Sequence, residues 1–373
     1  MIKFSRCQVC GKKPTIMATF LGICPECIQK HPKEAIEISQ ISHVANREQW
    51  NLQPFVPYNK EGRQCHLCSN ECFIGIGEMG YCGIRKNIDG HLRPIAGKNR
   101  AFLHTYLDPL PTNCCSMYFC PGGTSSGYPH FSYSKGPEYG YYNFACFLYG
   151  CNFSCLGCQN DQHRELKSDK TYSFEKFVSK IHNNPKISCV CWFGGSPEPQ
   201  LPWALRASKR ALDATPNRIL RICWEWNGAG NSKLVQNAVG LAFKSGGNAK
   251  FDLKYFSSSL SQVLSGVSNK QSFENFKNCF DKFYHERAKN PVLTATTLLV
   301  PGYVKAEEVS KIAQFIAELD KTIPYSLLVF HPQSFLRDLP ITPLKQVKKC
   351  YEAAQKYLDN VHLGNRHLIG WAI

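Results

Sequence analysis

The sequence predicts an α/β fold: a partial (β/α)6 barrel of the TIM type, preceded by N-terminal cysteine-rich metal-binding modules. Two observations carry this expectation. From residue 141 onward, short β-rich runs alternate with longer helical candidates, the pattern of a parallel sheet whose crossovers are helices. Before that point the cysteines bunch into close pairs, whereas the C-terminal 150 residues hold only Cys279 and Cys350.

The β-rich runs are Phe144–Tyr149, Ser188–Phe193, Ile219–Trp226, Ala249–Leu253, Val292–Val300 and Tyr325–Phe330. Helices are expected near 173–182, 202–214, 231–245, 272–287 and 306–320, with another at 343–358 after the last strand. Six such units, with no sign of a seventh or eighth, imply a barrel that does not close. The chain divides accordingly into a zinc-ribbon-like module at 1–30, a linker at 31–60, a second cysteine-rich module with a loop region at 61–140, and the barrel core at 141–373.

Composition limits the function classes. A chain of 373 residues, 43% hydrophobic and 19% charged, can bury a large core. No run of eighteen apolar residues occurs, which argues against a membrane span. The opening Met-Ile-Lys-Phe-Ser-Arg-Cys lacks the apolar stretch of a signal peptide, so the expected location is cytoplasmic. Paired cysteines in a reducing compartment point to metal binding or redox chemistry rather than to a disulfide scaffold. The formal charge of +16 counts each of the 20 cysteines as neutral, and metal-bound thiolates would lower it. The remainder suits attraction to nucleic acid or to an acidic protein, or simply solubility, and nucleic acid is not the favoured partner.

Cys7-x2-Cys10 and Cys24-x2-Cys27 are separated by thirteen residues. This is zinc-ribbon spacing, in which two knuckles bring four thiolates to one tetrahedral ion; an iron site and reactive dithiols are the alternatives. Residues 31–60 combine a short helical stretch with Pro54 and Pro57. Cys65, Cys68, Cys72 and Cys82 then fall among Gly75, Gly77, Gly80 and Gly83, a pattern suited to one metal site, either zinc or an iron–sulfur cluster. Between 91 and 140 regular periodicity is lost to turn signals such as Asp108-Pro-Leu-Pro111 and Cys120-Pro-Gly-Gly123. Cys114, Cys115 and Cys120 there are either further ligands or ordinary loop cysteines.

Directly after the first barrel run comes Gly150-Cys-Asn-Phe-Ser-Cys-Leu-Gly-Cys158, a C-x3-C-x2-C triplet. Three thiolates suit a four-iron cluster that leaves one iron open. In parallel β/α folds the loops at the carboxyl ends of the strands build the active site, so polar or glycine-rich groups should recur there. The second run ends in Gly194-Gly195-Ser196-Pro197-Glu198, the third in Glu225-Trp226-Asn227-Gly228 and the fourth in Asp252-Leu-Lys254. The fifth ends in Pro301-Gly302-Tyr303 and the sixth in His331-Pro332. Two glycines allow close approach of backbone to a ligand; Asn227 and Asp252 can bind sugar hydroxyls, and Lys254 can pair with a carboxylate.

In order, Cys151–Cys158, Gly194-Gly195, Asn227-Gly228, Asp252-Leu-Lys254, Val300-Pro-Gly302 and Phe330-His331 resemble the radical S-adenosylmethionine (radical SAM) enzymes. Within them the chain resembles the pyruvate formate-lyase activating enzymes. The segment Cys65-His-Leu-Cys68, Cys72, Gly80-Tyr-Cys82-Gly-Ile-Arg85 looks like the opening of the AmmeMemoRadiSam system enzymes. The resemblance covers most of residues 60–370 and leaves out the N-terminal ribbon.

This resemblance implies that Cys151, Cys155 and Cys158 hold a 4Fe-4S cluster whose free iron chelates S-adenosylmethionine. Gly194, Gly195 and Ser196 would receive the methionine amino group. Asn227, Asp252 and Lys254 would lie along the carboxylate and ribose, and His331 near the ribose or adenine. The implied activity is that of an oxidoreductase: reductive cleavage gives a 5′-deoxyadenosyl radical that abstracts hydrogen from a substrate. An electron donor such as flavodoxin or ferredoxin is implied, and activating-enzyme likeness favours a protein or peptide substrate. An RNA-modifying enzyme and a non-catalytic metal-binding or assembly protein are the other readings.

The sequence departs from the family at two points. Gly157 stands where an aromatic residue usually precedes the last cluster cysteine, and Ser196-Pro197-Glu198 replaces a shorter Gly-Gly-Glu-Pro pattern. Cys191, Cys223 and Tyr255 fit structural roles better than that of a radical carrier.

Overall fold

The alternation of Val, Ile, Phe and Trp with helix-forming segments builds one large sheet, seen in a computed structural model that describes residues 3–112, 114–167, 170–287 and 289–370. The chain opens with helices α1 (Pro25–Lys30) and α2 (Pro32–Glu48), each begun by a proline whose fixed φ suits a first helical turn. Two antiparallel hairpins follow, β1 (Arg63–Gln64) with β2 (Phe73–Ile74) and β3 (Arg85–Ile88) with β4 (His91–Pro94). Next come β5 (Arg100–Pro109), β6 (Tyr142–Leu148), β7 (Thr171–Ser173), α3 (Phe174–His182), β8 (Ile187–Gly194), α4 (Leu201–Asp213), β9 (Arg221–Trp226) and α5 (Ser232–Ser245). The chain continues through β10 (Ala249–Asp252), α6 (Ser258–Ser265), α7 (Lys270–Phe283), β11 (Leu293–Leu299), α8 (Ala306–Leu319), β12 (Tyr325–Val329), α9 (Leu344–Gln355) and β13 (Val361–Gly364).

The nine-stranded sheet has the order β13-β12-β11-β10-β9-β8-β6-β5-β7 and stays open at both edges. Strands β6 and β8 to β13 are mutually parallel. β5 is antiparallel to β6, and β7 is antiparallel to β5. All six expected β-rich runs are parallel strands, and the open α/β half-barrel expected from them is present.

Four of the elements beyond the sequence reading bear on the fold. β13 is a seventh parallel strand, only four residues long, that gains its partners from β12 with Tyr325 opposite Val361. β5 lies in the stretch expected to lack periodicity; its ladder to β6 rather than its own pattern makes it a strand. α6 has four serines in eight residues, yet Ser257 caps its first turn and Gly266, at φ +73°, ends it. Within the expected linker, α2 runs for 17 residues and packs on α6, with His43 Nε2 3.0 Å from the Val263 carbonyl.

Side chains alternate across the parallel strands. One face carries Trp192, Trp224, Trp226, Phe251 and Leu327, buried against the helices; Trp192 donates to Ser208 Oγ at 2.9 Å and Trp224 to the Ala238 carbonyl at 2.8 Å. Stacking of Phe177, Trp192, Trp224 and Trp226, with centroids 5.0, 6.0 and 5.5 Å apart in turn, ties α3, β8 and β9 together. The opposite face presents Cys191, Glu225, Lys250, Asp252 and Thr296 to the lumen. Hydrophobic burial thus fixes the register, and the register delivers the polar groups to one interior.

Candidate active site

Strand β6 ends at Leu148, and Tyr149-Gly150 hand the chain to the cysteine loop. Cys151, Cys155 and Cys158 all open onto one cavity of about 200 Å³ at the carboxyl ends of the strands. The loop is pinned on several sides. Ser154 N and Leu156 N donate to the carbonyls of Ser265 and Leu264, each at 2.9 Å, and Arg164 Nη2 donates to the Cys155 carbonyl at 3.2 Å. Phe153 N donates to Cys151 Sγ at 3.3 Å, and Cys155 Sγ lies 3.1 Å from Ser265 Oγ. Burial pushes the Cys151 thiol well above its usual value and Cys158 up to about 11. Such thiols hold their protons until a metal displaces them. Three convergent sulfurs with no fourth on the loop fit a cluster that keeps one iron free for a ligand.

The strand ends meet these cysteines across the cavity. Gly194 has φ +116°, which favours glycine, and a Cβ on Gly195 would stand 2.1 Å from the Gly150 carbonyl oxygen. The turn therefore lies directly against the root of the cysteine loop, with Ser196 N donating to that carbonyl at 3.2 Å. Ser196 Oγ accepts from Asn227 N and Nδ2 at 3.2 and 3.1 Å. Asn227 Nδ2 also donates to Asn152 Oδ1 at 2.8 Å and lies 3.9 Å from Cys151 Sγ. Ser196, Asn227 and Asn152 thus form one buried network beside Cys151.

A line of alternating charge crosses the cavity wall: Glu225 Oε2 lies 3.1 Å from Lys250 Nζ, which lies 3.3 Å from Asp252 Oδ1, and Asp252 Oδ2 lies 2.8 Å from Lys254 Nζ. Burial alone would raise Asp252, but Lys250 and Lys254 hold it below the usual carboxylate value. Burial likewise opposes the charge on Lys254, and Asp252 keeps its ammonium above the usual value. Both residues stay ionised and available to a zwitterionic ligand. Glu198 differs: its Oε1 accepts from Gly228 N at 2.8 Å, its Oε2 is unpartnered, and burial raises it to about 7.

Of the expected ligand-binding residues, Gly194, Gly195, Ser196, Asn227, Asp252 and Lys254 line this cavity. His331 does not: it is exposed and lies outside the cavity lining. Gly157 is explained by packing, since a Cβ there would come 2.8 Å from Leu336 and 3.3 Å from Phe330. Those two side chains leave no room for a larger residue at 157. Asn152, Arg164, Glu225 and Lys250 also line or support the site and escaped sequence reasoning. The period-two pairs Cys223-x-Glu225 and Lys250-x-Asp252 were the available signal.

The outer cysteines form separate groups. The sulfurs of Cys7, Cys10, Cys24 and Cys27 lie within 4.8 Å of one another, compatible with a tetrahedral zinc ion, whose Zn–S bonds of about 2.3 Å set sulfur–sulfur edges near 3.8 Å. Burial opposes ionisation of Cys7, but backbone N–H groups bring it down to about 7. Cys65, Cys68, Cys72 and Cys82 line one small cavity with Arg85, and burial raises Cys82 to about 12. Cys65 and Cys72 pack with Phe153 and Ala229, against Cys151 and Cys155. No helix among the described residues is long and apolar enough to cross a membrane.

An uncharacterized protein of Methanocaldococcus jannaschii is 24% identical over 320 residues, covering 81% of this chain and 81% of that one. A second from the same organism is 22% identical over 319 residues, covering 80% and 77%. Among solved structures, a domain of pyruvate-formate lyase-activating enzyme from Bacteroides vulgatus aligns at 16% identity with a TM-score of 0.36, covering 47% of this chain and 98% of that one. Streptococcus suis SuiB aligns at 16% identity and a TM-score of 0.43, covering 59% and 48%. Residues 139–245, which include Cys151, Cys155 and Cys158, match the family model of a 4Fe-4S single cluster domain.

Proposed function

We propose that the protein is a radical SAM enzyme. The observation that carries this reading is the cavity itself: three cluster-spaced cysteines on one wall, and on the other the Gly194-Gly195 turn, Asn227 and the Asp252–Lys254 pair. When bound together, a reduced 4Fe-4S cluster and S-adenosylmethionine supply one-electron cleavage of a sulfonium and a carbon radical. The chain's own groups bind and aim. The glycine turn leaves backbone open to an ammonium group, Lys254 meets a carboxylate, and Asn227, braced by Ser196 and Asn152, offers its amide next to Cys151. The enclosing strand ends keep water and oxidants from the reacting atoms.

Within this reading the resemblance to glycyl-radical activating enzymes favours hydrogen abstraction from a protein or peptide, with a flavodoxin or ferredoxin as electron donor. The charge of +16 and the ribbon favour RNA as a second substrate class. Salt-sensitive RNA binding by the reconstituted protein would support RNA, and absence of binding at low salt would remove it.

The deciding experiment is anaerobic. Reconstituted, chemically reduced protein incubated with S-adenosylmethionine should form 5′-deoxyadenosine and methionine in equal amounts, and Cys155→Ala should form none. A fully iron-loaded wild type that makes no 5′-deoxyadenosine would overturn the reading.

A further inference from the structure

The segment between β5 and β6 brings Cys114 and Cys115 into the lumen, beside the site described above but not part of it. Their sulfurs and a carboxylate oxygen of Glu225 all lie within 4.8 Å of one another. Cys114 Sγ stands 2.7 Å from Glu225 Oε1. Each of the three groups is held by a partner of its own. Ser116 N donates to Cys114 Sγ at 3.3 Å, Thr296 Oγ1 donates to Cys115 Sγ at 3.6 Å, and Lys250 Nζ donates to Glu225 Oε2 at 3.1 Å. The loop is tied to the sheet at and just after the pair: Ser326 Oγ donates to the Cys115 carbonyl at 2.9 Å, and Ser116 Oγ lies 3.1 Å from Thr294 Oγ1.

We propose that Cys114, Cys115 and Glu225 form a binding site for a thiophilic divalent metal ion, zinc, with its fourth position open to the lumen. Two thiolates and one carboxylate are a donor set suited to zinc, and three protein ligands with one vacancy is the arrangement of reactive rather than structural sites. A hydrogen-bond partner on each ligand is what such sites use to fix ligand orientation. Charge supports the same assignment. Cys114, Cys115, Glu225 and Asp252 carry four negative charges when ionised, and a dication with Lys250 and Lys254 balances them. Without the ion, the Cys114 thiol keeps its proton and donates it to Glu225 Oε1 at 2.7 Å, the proton a bound metal would displace.

There is room at the vacancy. Cys114 and Glu225 line a lumen cavity of about 280 Å³ with Asn143, Arg221 and Asn248. Cys115 joins them on a second cavity of about 190 Å³ that shares Gln159 and Lys250 with the cluster cavity. A thiolate, carboxylate or imidazole of an incoming molecule could therefore occupy the fourth position within reach of the cluster cavity. The site does not depend on the radical reading, because metal content and 5′-deoxyadenosine formation are separate readouts.

The test uses the full chain, purified without oxygen and loaded with zinc chloride. Wild type should retain one equivalent of zinc more than the Cys114→Ala/Cys115→Ala variant, with equal iron and sulfide in both. Glu225→Gln should weaken retention by about 10-fold or more. Residue-resolved alkylation needs no variant: zinc should slow iodoacetamide labelling of Cys114 and Cys115 by about 10-fold or more, and a chelator should restore it. Equal zinc in wild type and the double variant, labelling indifferent to zinc, or a Cys114–Cys115 disulfide in the native protein would each overturn the proposal.

Discussion

Glu138→Gln tests how the loop that carries Cys114, Cys115 and Cys120 is fastened to the barrel. Glu138 and Arg221 are an ion pair with 0% and 2% of their side-chain surface exposed. Arg221 Nη1 donates to Oε1 at 2.9 Å and Nη2 to Oε2 at 2.6 Å, while Tyr133 N and Ser188 Oγ add donors at 2.8 and 2.7 Å. Burial opposes both charges; the pairing outweighs it, holding Glu138 below and Arg221 above their usual values. Glutamine keeps the shape but strands a buried guanidinium, which costs about 3–5 kcal/mol. At roughly 2 cal/mol/K per residue, the 373 residues give an unfolding entropy of about 0.8 kcal/mol/K. The expected fall in Tm is therefore about 4–6 °C. The sign with pH follows from the depressed carboxyl: its contribution is present above the ordinary value of 4.5 and is lost as pH falls through the folded value. Calorimetry at neutral and acid pH should show the gap from wild type closing in acid. A Glu138→Met/Arg221→Met double variant should recover most of the loss. A fall of less than about 1 °C at neutral pH, or a gap undiminished in acid, would refute the reasoning.

Three further outcomes follow from the site. Gly195→Ala drives a methyl into the Gly150 carbonyl, displaces the root of the cysteine loop and should lower 5′-deoxyadenosine formation by about 100-fold or more. Retained activity would mean that the turn does not abut the cluster. Glu198, with its carboxyl raised to about 7 from 4.5, costs wild type about 3 kcal/mol as pH rises through that interval. Glu198→Gln should therefore be the more stable protein at pH 8 without S-adenosylmethionine and no more stable than wild type below pH 4.5, read by denaturant titration. His331→Ala should leave S-adenosylmethionine cleavage within about 2-fold of wild type, and a loss beyond about 10-fold would return His331 to the binding site.

The six parallel strands β6 and β8 to β12 were legible because burial on the helix side places large apolar residues in them, such as Phe144, Trp192, Trp224, Phe251, Leu293 and Leu327. β13 and β5 were not, because pairing with a neighbour, not their own composition, makes them strands. α6 was hidden by its serines, which serve as cap and as buried hydrogen-bonding groups rather than as breakers. In the site, residues within motifs were readable: the triplet, the glycine pair, Asn227 and the Asp252–Lys254 pair. Asn152 and Arg164 act through contacts between elements far apart in sequence, which no local spacing encodes, whereas Glu225 and Lys250 left only the period-two pairs Cys223-x-Glu225 and Lys250-x-Asp252 as a trace. The Cys114–Cys115 pair was visible as residues, but its acidic partner, 111 positions away, became evident only when β9 turned Glu225 inward.

The contacts on the cysteine loop give the N-terminal third of the chain a physical task. Fixing the backbone of one loop residue costs about 1–2 kcal/mol, so a loop that must present three sulfurs needs restraint from outside itself. Restraint arrives from three directions. From α2, Asn46 Nδ2 donates to Ser154 Oγ at 3.3 Å, and its Oδ1 accepts from Arg164 at 2.8 Å, the same guanidinium that holds the Cys155 carbonyl. From the second cysteine group, Asn70 Nδ2 donates to the Asn152 carbonyl at 2.7 Å and Ser69 N to the Ala229 carbonyl at 2.9 Å. From the ribbon, Phe20 packs on Phe335, whose N–H donates to the Leu156 carbonyl at 2.9 Å. Each outer module reaches a different point of the loop, at Ser154, Asn152 and Leu156, between the cluster cysteines. A metal that orders either module therefore also narrows the conformations open to Cys151, Cys155 and Cys158. That coupling accounts for cysteine-rich modules that contribute none of the sulfurs lining the cluster cavity.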